Sequence, residues 1–243
     1  MKQHLNTIII SFAIVLGVFM ISGAYKYKFR ASETISVTGM SEKDFTSDLI
    51  VWGGSFNRDA LQLKDAYAQL KADETAIKSY LQSKGVSDKE IVFSSVNMSK
   101  NYQRKYDDKG NEISSEFTGY SLSESVRVES KEIEKVEKLS REITELLEKD
   151  IELNSNAPEY YYTKLNELKI DLLAKASADA KTRAETIASN GGSSIRGINK
   201  ATMGVFQITG KNENETYSYG GSFNTSSKLK TASITLKVDY LLK

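Results

Sequence analysis

Residues 165–190 read LNELKIDLLAKASADAKTRAETIASN and carry the clearest helical pattern in the chain. Apolar side chains recur there at spacings of three and four residues, as they do on the buried face of an amphipathic helix. These positions are Leu165, Leu168, Leu172, Ala176, Ala180, Ala184, Ile187 and Ala188. The alanines predict a smooth face that a sheet or a second helix can approach closely. Asn190-Gly191-Gly192 predicts the end of this helix.

Strand patterns lie on both sides of this helix. After it, residues 201–209 predict one strand, and a second strand runs to the end of the chain. The C-terminal strand shows strict apolar alternation at Ile234, Leu236, Val238, Tyr240 and Leu242. Before it, residues 132–149 predict an amphipathic helix, followed by a short strand near residues 151–153. The apolar face of that earlier helix contains Ile133, Val136, Ile143 and Leu147.

Two strands and a helix open the part of the chain that follows the N-terminal segment. Residues 35–39 alternate between apolar and polar, and residues 49–56 form an apolar run that contains Trp52. Residues 63–81 then show helical periodicity. Lys84-Gly85 predicts the end of this helix, because glycine suits the left-handed position at a helix C-terminus.

A long hairpin with a polar tip follows. Residues 91–98 alternate as a strand, and the chain returns as a strand from Phe117 to Val128. Between them, Asp107-Asp108-Lys109-Gly110-Asn111 is a turn signal. The whole order of elements predicts an α+β fold, in which helices pack on a predominantly antiparallel sheet after an N-terminal transmembrane or signal helix.

The N-terminal segment predicts attachment to a membrane or export across it. Leu5 to Tyr25 reads LNTIIISFAIVLGVFMISGAY without a charge, and a helix needs about 20 residues to span a bilayer. Ser22-Gly23-Ala24 resembles a cleavage site, so a signal peptide is the alternative. We favour an uncleaved anchor, since the following YKYKFR resembles an aromatic and basic interfacial belt. We therefore divide the chain into residues 1–30 and a domain of residues 31–243.

Flanking charges give a conflicting prediction of orientation. Lys26, Lys28 and Arg30 outnumber Lys2 and the terminal amine. By the positive-inside rule this balance would keep the C-terminal domain in the cytoplasm. Charge counting alone therefore does not decide the orientation.

Composition excludes several classes of function. The chain has no cysteine, and its single histidine, His4, precedes the apolar segment. Cysteine nucleophiles, cysteine zinc sites and imidazole catalysis are thereby removed from the domain. The formal net charge is +1, so we expect no nucleic-acid partner. No phosphate-binding loop, dinucleotide motif or metal-ligand spacing is present. We expect no enzyme, no cofactor and no metal; the alternative is a carboxylate pair of the glycosidase type, since acidic residues are plentiful.

Two sets of residues are candidates for a functional role. Glu124 falls on the apolar register of the returning hairpin strand, so it either points inward as a perturbed carboxylate or sits at a bulge or edge. Aromatic residues among polar ones suit protein contacts, although local packing is the alternative. These candidate interface residues are Tyr102, Tyr106, Tyr160, Tyr161, Tyr162, Tyr217, Tyr219 and Phe223.

Several motifs resemble the SIMPL-domain family, over nearly everything after the apolar segment. The strongest is the helix ASADAKTRA at 176–184, followed by Ile187-Ala188. Weaker matches are ISVTG at 35–39, LQSKGV at 81–86, FTGY at 117–120 and VRV at 126–128. PEYYYTKL at 158–165 and MGVFQIT at 203–209 resemble members from Bacteroidetes. Two departures are Met40-Ser41-Glu42, in place of a second glycine, and Thr46-Ser47-Asp48, in place of Pro-Asp, so the first turn is expected to differ locally.

The resemblance implies a bacterial envelope protein with no established catalytic residues. Family members include periplasmic proteins linked to oxidative-stress defence and a periplasmic immunogenic protein that forms a large channel-like homo-oligomer. The resemblance thus favours a periplasmic domain anchored in the inner membrane, with a soluble periplasmic protein after cleavage as the alternative.

Two hypotheses follow. The first is a scaffold that forms a homo-oligomer and reaches the membrane through residues 5–25. The second is a binding module for a peptide, lipid or envelope protein. The positions of the tyrosine loops should discriminate between them.

Overall fold

The structure is a computed structural model that describes residues 2–30, 33–213 and 218–243. Side chains in the first of these ranges are described only for residues 11–26. Helices pack on two largely antiparallel sheets, so the predicted α+β class is confirmed. The helices are α1 (Lys2–Arg30), α2 (Leu63–Ser83), α3 (Ile133–Glu142) and α4 (Leu165–Asn190).

Sheet A contains both ends of the domain. Its strands are β1 (Thr34–Thr46), β8 (Ile195–Met203), β9 (Gln207–Gly210), β10 (Ser222–Phe223) and β11 (Leu229–Leu242). The spatial order is β1-β11-β9-β10, with β8 beside the C-terminal half of β11. β1 and β11 pair antiparallel along their full length, from Thr34 opposite Leu241 to Thr46 opposite Leu229.

Sheet B contains the long hairpin. Its strands are β2 (Leu49–Ala60), β3 (Ile91–Phe93), β4 (Asn97–Tyr106), β5 (Glu112–Ser130), β6 (Leu153–Ser155) and β7 (Glu159–Tyr161). The spatial order is β3-β5-β2-β6, while β4 extends the pairing along β5 and β7 pairs with β2. α2 and α3 cover one face around buried Trp52, Phe56 and Leu70.

α4 packs against sheet A through its alanine stripe, as the sequence predicts. Ala176, Ala180 and Ala184 are fully buried in the core between α4 and β11. The closest approach is at Gly39 of β1, where an added Cβ would lie 2.1 Å from the Ala176 carbonyl oxygen. Small residues on both elements therefore set the distance between helix and sheet. Ile187 is exposed, so its place in the predicted stripe is wrong.

The predicted helix over residues 132–149 changes its character midway. α3 ends at Glu142, and residues Ile143–Lys149 continue as a 3-10 helix. The tighter winding shifts the buried face, because a 3-10 helix has three residues per turn. Leu146 is consequently buried, whereas Leu147 is 55% exposed and was wrongly placed on the apolar face.

Two strands that the sequence predicts as continuous are interrupted. Residues 91–98 divide into β3 and β4, and residues 201–209 divide between β8 and β9. At the second break the Gly204 N–H donates to the Thr235 carbonyl oxygen over 2.9 Å. The apolar pattern of the sequence does not reveal these breaks, because the chain runs in the same direction before and after each of them.

The N-terminal segment is a helix, as predicted, and its described side chains are largely exposed. No helix within the residues whose side chains the structure describes is both long enough and apolar enough to cross a bilayer.

Candidate interaction surfaces

The outer part of the long hairpin is an arm that projects beyond the rest of sheet B. Here β5 pairs with β4 alone, because β2 reaches only as far as Tyr120 of β5. We define the arm as residues 101–119, which extend about 20 Å at the rise of a strand. Nearly every residue on both of its strands is exposed. An isolated two-stranded ribbon is marginally stable in water.

The tip of the arm is the predicted turn. The Asp107 carboxylate accepts hydrogen bonds from the backbone N–H groups of Lys109, at 2.9 Å, and Asn111, at 2.8 Å. Gly110 takes the left-handed conformation that the turn requires, with φ of 82°. The side-chain and backbone bonds from Asn111 hold the pKa of the Asp107 carboxyl below its usual range. The tip is therefore held in its turn by its own hydrogen bonds.

A bulge at the base of the arm sets the direction of its aromatic side chains. Asn101 pairs with Gly119 and Tyr102 with Phe117, which leaves Thr118 as an extra residue. The extra residue shifts by one position the alternation of side chains between the two faces of the strand. The Phe117 ring consequently contacts both Tyr102 and Tyr120, with centroids 5.7 Å and 5.2 Å apart. Tyr120 packs against the core of sheet B, so the apolar face of that sheet continues onto the arm.

Among the described residues, no helix or strand covers this continued apolar face. Tyr102, Tyr106, Ile113 and Phe117 are all exposed large side chains. On the inner part of sheet B, α2 covers the corresponding face. The arm therefore presents to its surroundings the kind of surface that the rest of the sheet buries.

A second apolar surface lies on the outer face of sheet A, away from α4. It is a groove of about 500 Å³. Met40 of β1 stands opposite Thr235 of β11, and both line the groove. Met203 and Val205, at the break between β8 and β9, form the opposite wall. We call it the sheet A groove.

Tyr219 stands over this groove and is fully exposed, at 106% of the reference area. Phe223 lies elsewhere, beside Tyr161, with ring centroids 6.4 Å apart. Tyr217 lies outside the described residues. The five aromatics of the hairpin and the late loop thus do not border one cleft. The structure divides the described four between the arm, the sheet A groove and the β7 region.

The Tyr160 cluster packs locally between the two sheets. Burial, reinforced by a hydrogen bond to Glu137, raises the pKa of Tyr160 to about 12. The Tyr160 backbone N–H also donates to the Thr225 carbonyl oxygen over 2.7 Å, and the Tyr162 ring lies 4.9 Å from that of Phe45. Contact of these residues with another chain stays a prediction.

Glu124 points inward and a bulge lies beside it, so both interpretations of this residue apply. It is 3% exposed and stands opposite Phe56. Its Oε2 lies 3.5 Å from Lys71 Nζ and has no hydrogen-bond partner in the described part of the chain. Burial raises the pKa of its carboxyl, Glu74 adds to the rise, and Lys71 opposes it. On the neighbouring edge, residues 94–96 oppose only residues 124 and 125.

This carboxylate does not form part of a cation site. Within the described ranges, no group of three or more histidine, cysteine or acidic side chains could hold a metal ion. Asp73, the other buried acid of this core, makes two hydrogen bonds with Arg58, at 2.5 Å and 3.0 Å. These charges hold α2 against sheet B.

The sheet A groove was missed from the sequence. Its apolar residues lie on the exposed side of otherwise regular strands, and the interruption at Met203-Gly204-Val205 forms one of its walls. A methionine at position 40, on the polar side of the β1 alternation, was the available clue.

A comparison with protein families identifies the domain. The sequence profile of the SIMPL family, described as a protein of unknown function (DUF541), matches residues 35–239. The chain belongs to the SIMPL family. The match runs from the start of β1 nearly to the end of β11, so it includes both sheets, the arm and α4 of this SIMPL protein. No curated protein matches the chain.

Proposed function

We propose that this SIMPL protein is a non-enzymatic scaffold, exported to the periplasm and anchored in the inner membrane, that assembles with further copies of itself. The observation that carries the proposal is the arm. It extends the apolar face of sheet B beyond the residues that α2 covers. An uncovered apolar face on a marginally stable ribbon gains most from contact with another protein surface.

The N-terminal helix supports the membrane attachment. Phe12 and Phe19 lie on one side of the helix, Ile14 and Ile21 lie on the opposite side, and all four are exposed. A helix that is apolar all round requires burial in a protein core or in a membrane. The uncharged stretch from Leu5 to Tyr25 favours the membrane. A part in stress defence belongs to the same proposal and rests on resemblance alone.

The sheet A groove favours a second candidate function, a binding module for an apolar peptide segment or a lipid chain. Met40, Met203 and Val205 give the groove a soft apolar wall, and methionine adapts well to varied apolar ligands. Tyr219 stands at this groove and is fully exposed, so closing over such a ligand would bury its ring without exposing other surface of that side chain.

The mass of the full chain in detergent micelles tests the first proposal. We expect a multimer whose size is independent of detergent concentration but falls on extreme dilution, measured by light scattering with the detergent contribution subtracted. A monomer at every protein concentration would contradict the scaffold function and favour the binding module.

A matched pair of variants separates the two functions. Tyr102→Ser with Phe117→Ser should reduce the multimer mass, whereas Val205→Ser with Tyr219→Ser should leave the mass unchanged. The reverse pattern would assign assembly to the groove.

A further inference from the structure

A hollow of about 610 Å³ lies beside α4, on the side of sheet A that faces this helix. α4 packs mainly on β1 and β11, so it leaves the neighbouring face of β8 partly uncovered. The hollow occupies this space. α4 and β8 form its walls, and β11 contributes Tyr240. We call it the β8 hollow.

Two bulges in β8 shape this hollow. Tyr240 pairs with Ile198 but Asp239 pairs with Lys200, and a second shift in register follows between Leu241 and Leu242. Bulges bend a strand and change the direction of its side chains. Residues 195–198 consequently all line the hollow, although successive residues of a regular strand face opposite sides.

Tyr240 brings a buried polar group to the hollow. The residue is 4% exposed and belongs to the core between α4 and β11. Its hydroxyl makes no hydrogen bond with any described residue, and it is not sealed off by protein atoms as Glu124 Oε2 is. Burial, with a smaller contribution from the charge of Glu185, raises the pKa of this hydroxyl. It therefore keeps its proton at neutral pH and can donate it in a hydrogen bond.

The charged side chains around the hollow favour an anion. Lys181, Glu185 and Arg196 line it, which gives two positive charges against one negative charge. Lys181 and Glu185 form an ion pair with each other over 3.7 Å. Arg196 makes no ion pair within the described residues. A guanidinium group binds a carboxylate through two parallel hydrogen bonds, so Arg196 suits a carboxylate better than other anions of one charge.

The remaining lining is apolar. Ala174 and Ala178 of α4 face Ile195 and Ile198 of β8 across the hollow. Ile198 is 57% exposed although it stands opposite the buried Tyr240. Sites for small molecules typically combine apolar walls with a few polar groups that fix the orientation of the ligand.

We propose that the β8 hollow binds a small organic acid, with its carboxylate between Arg196 and the Tyr240 hydroxyl and its apolar body between Ala178 and Ile198. The Tyr240 hydroxyl donates to one carboxylate oxygen, and the guanidinium group of Arg196 neutralises the charge. This site goes beyond the scaffold function and does not depend on it, because none of its residues belongs to the arm.

Binding of para-fluorobenzoate to the full chain in uncharged detergent micelles tests the site. We expect saturable broadening of its fluorine NMR signal with the protein but not with empty micelles. Benzoate, benzamide and benzamidinium have nearly the same shape and differ in charge. Benzoate should displace the probe, whereas the neutral and cationic analogues should be at least about tenfold weaker competitors.

Two variants with matched controls assign the contacts. Tyr240→Phe removes only the hydroxyl, and it should raise the Kd of the probe at least about tenfold. Without the probe, its unfolding temperature should stay unchanged or rise, because no hydrogen bond within the protein is lost. Tyr162→Phe changes a tyrosine of the same core that does not line the hollow, and it should leave the Kd unchanged.

Arg196→Gln should also raise the Kd at least about tenfold, because it removes the positive charge that faces the carboxylate. Its control is Arg127→Gln, which changes an exposed arginine of sheet B that does not line the hollow. The control should bind the probe as the parent chain does.

Four results would overturn the inference. They are an absence of saturable binding, equal competition by benzamide and benzoate, an unchanged Kd in Tyr240→Phe, and a fall in the unfolding temperature of that variant without the probe. The last would show that the hydroxyl has a structural partner. None of these readouts depends on the mass of the chain, so a monomer would contradict the scaffold function and leave this site intact.

Discussion

The two halves of β5 lie in contrasting surroundings. From Tyr120 to Ser130 the strand alternates between buried and exposed residues, between β2 on one side and β3 and β4 on the other. From Glu112 to Gly119 the same strand has only β4 beside it, and almost every side chain is exposed. Hairpin pairing alone therefore holds the outer half, whereas a covering helix also stabilises the inner half.

The largest contrast is expected in stability. Leu122 is fully buried in the inner half, and Leu122→Ala should lower the free energy of unfolding by about 2–4 kcal/mol. Ile113 is 67% exposed in the outer half. Ile113→Ala should change the stability by less than about 0.5 kcal/mol. Urea unfolding followed by circular dichroism measures both, and equal costs would show that the arm is part of the core.

The junction between the halves should be the next most sensitive position. Gly119 has φ of 140°, and an added Cβ would lie 2.7 Å from the Ala60 carbonyl oxygen. Gly119→Ala should lower the free energy of unfolding by about 2 kcal/mol, because the alanine backbone would be strained and the end of β2 would be displaced. Gly110 at the open tip also has a positive φ, but an added Cβ there would meet no described atom within 4 Å. Gly110→Ala should therefore lower the free energy of unfolding by about 1 kcal/mol. If Gly119→Ala lowers the stability less than Gly110→Ala does, the junction between the two halves of β5 is not rigid.

The outer half should instead govern association. Phe117→Ser removes the ring that joins Tyr102 to Tyr120, and it should raise the dissociation concentration of the multimer about tenfold. Ile170→Ser on the exposed side of α4 removes an apolar group that is more exposed than Phe117 and lies away from the arm. It should leave the multimer unchanged. Light scattering over a dilution series compares the two variants.

The smallest effect concerns the buried carboxylate of the inner half. The pKa of Glu124 in the folded state is raised, so the folded chain binds more protons than the unfolded chain between the two pKa values. Stability therefore falls as the pH rises through that window. Glu124→Gln should stabilise the chain at pH 7 by about 0.5 kcal/mol. The stabilisation by Glu124→Gln should vanish near pH 4. If the variant is instead less stable than the parent chain at pH 7, the ion pair with Lys71 outweighs the cost of burying the carboxylate.

Much of the fold could be predicted because its signals are local. The stripe of α4, the alternation of β11 and the turn at Asp107 each follow from the spacing of a few neighbouring residues. The bulge at Thr118 and the breaks at residues 94–96 and 204–206 could not be predicted. They depend on which strands lie side by side, and the sequence pattern does not contain that information.

The candidate surfaces were predicted in part for the same reason. Tyr102 and Tyr106 could be chosen because they are aromatic residues in a polar segment. The sheet A groove could not, since Met40 is an ordinary strand residue until its neighbours are known. Tyr160 and Tyr162 pack between the sheets, which is the alternative that the sequence left open, and their contact with another chain stays a prediction.

Removal of the arm tests the central claim most directly. Residues 101–119 can be replaced by Asn-Gly, because Lys100 and Tyr120 are paired and a two-residue turn can join them. As a control, residues 107–111 are replaced by Asn-Gly between the paired Tyr106 and Glu112, which shortens only the tip. The masses of the full chain and both variants are measured in detergent micelles. We predict a folded monomer without the arm and an intact multimer without the tip, whereas a multimer that survives the loss of the whole arm would contradict the account.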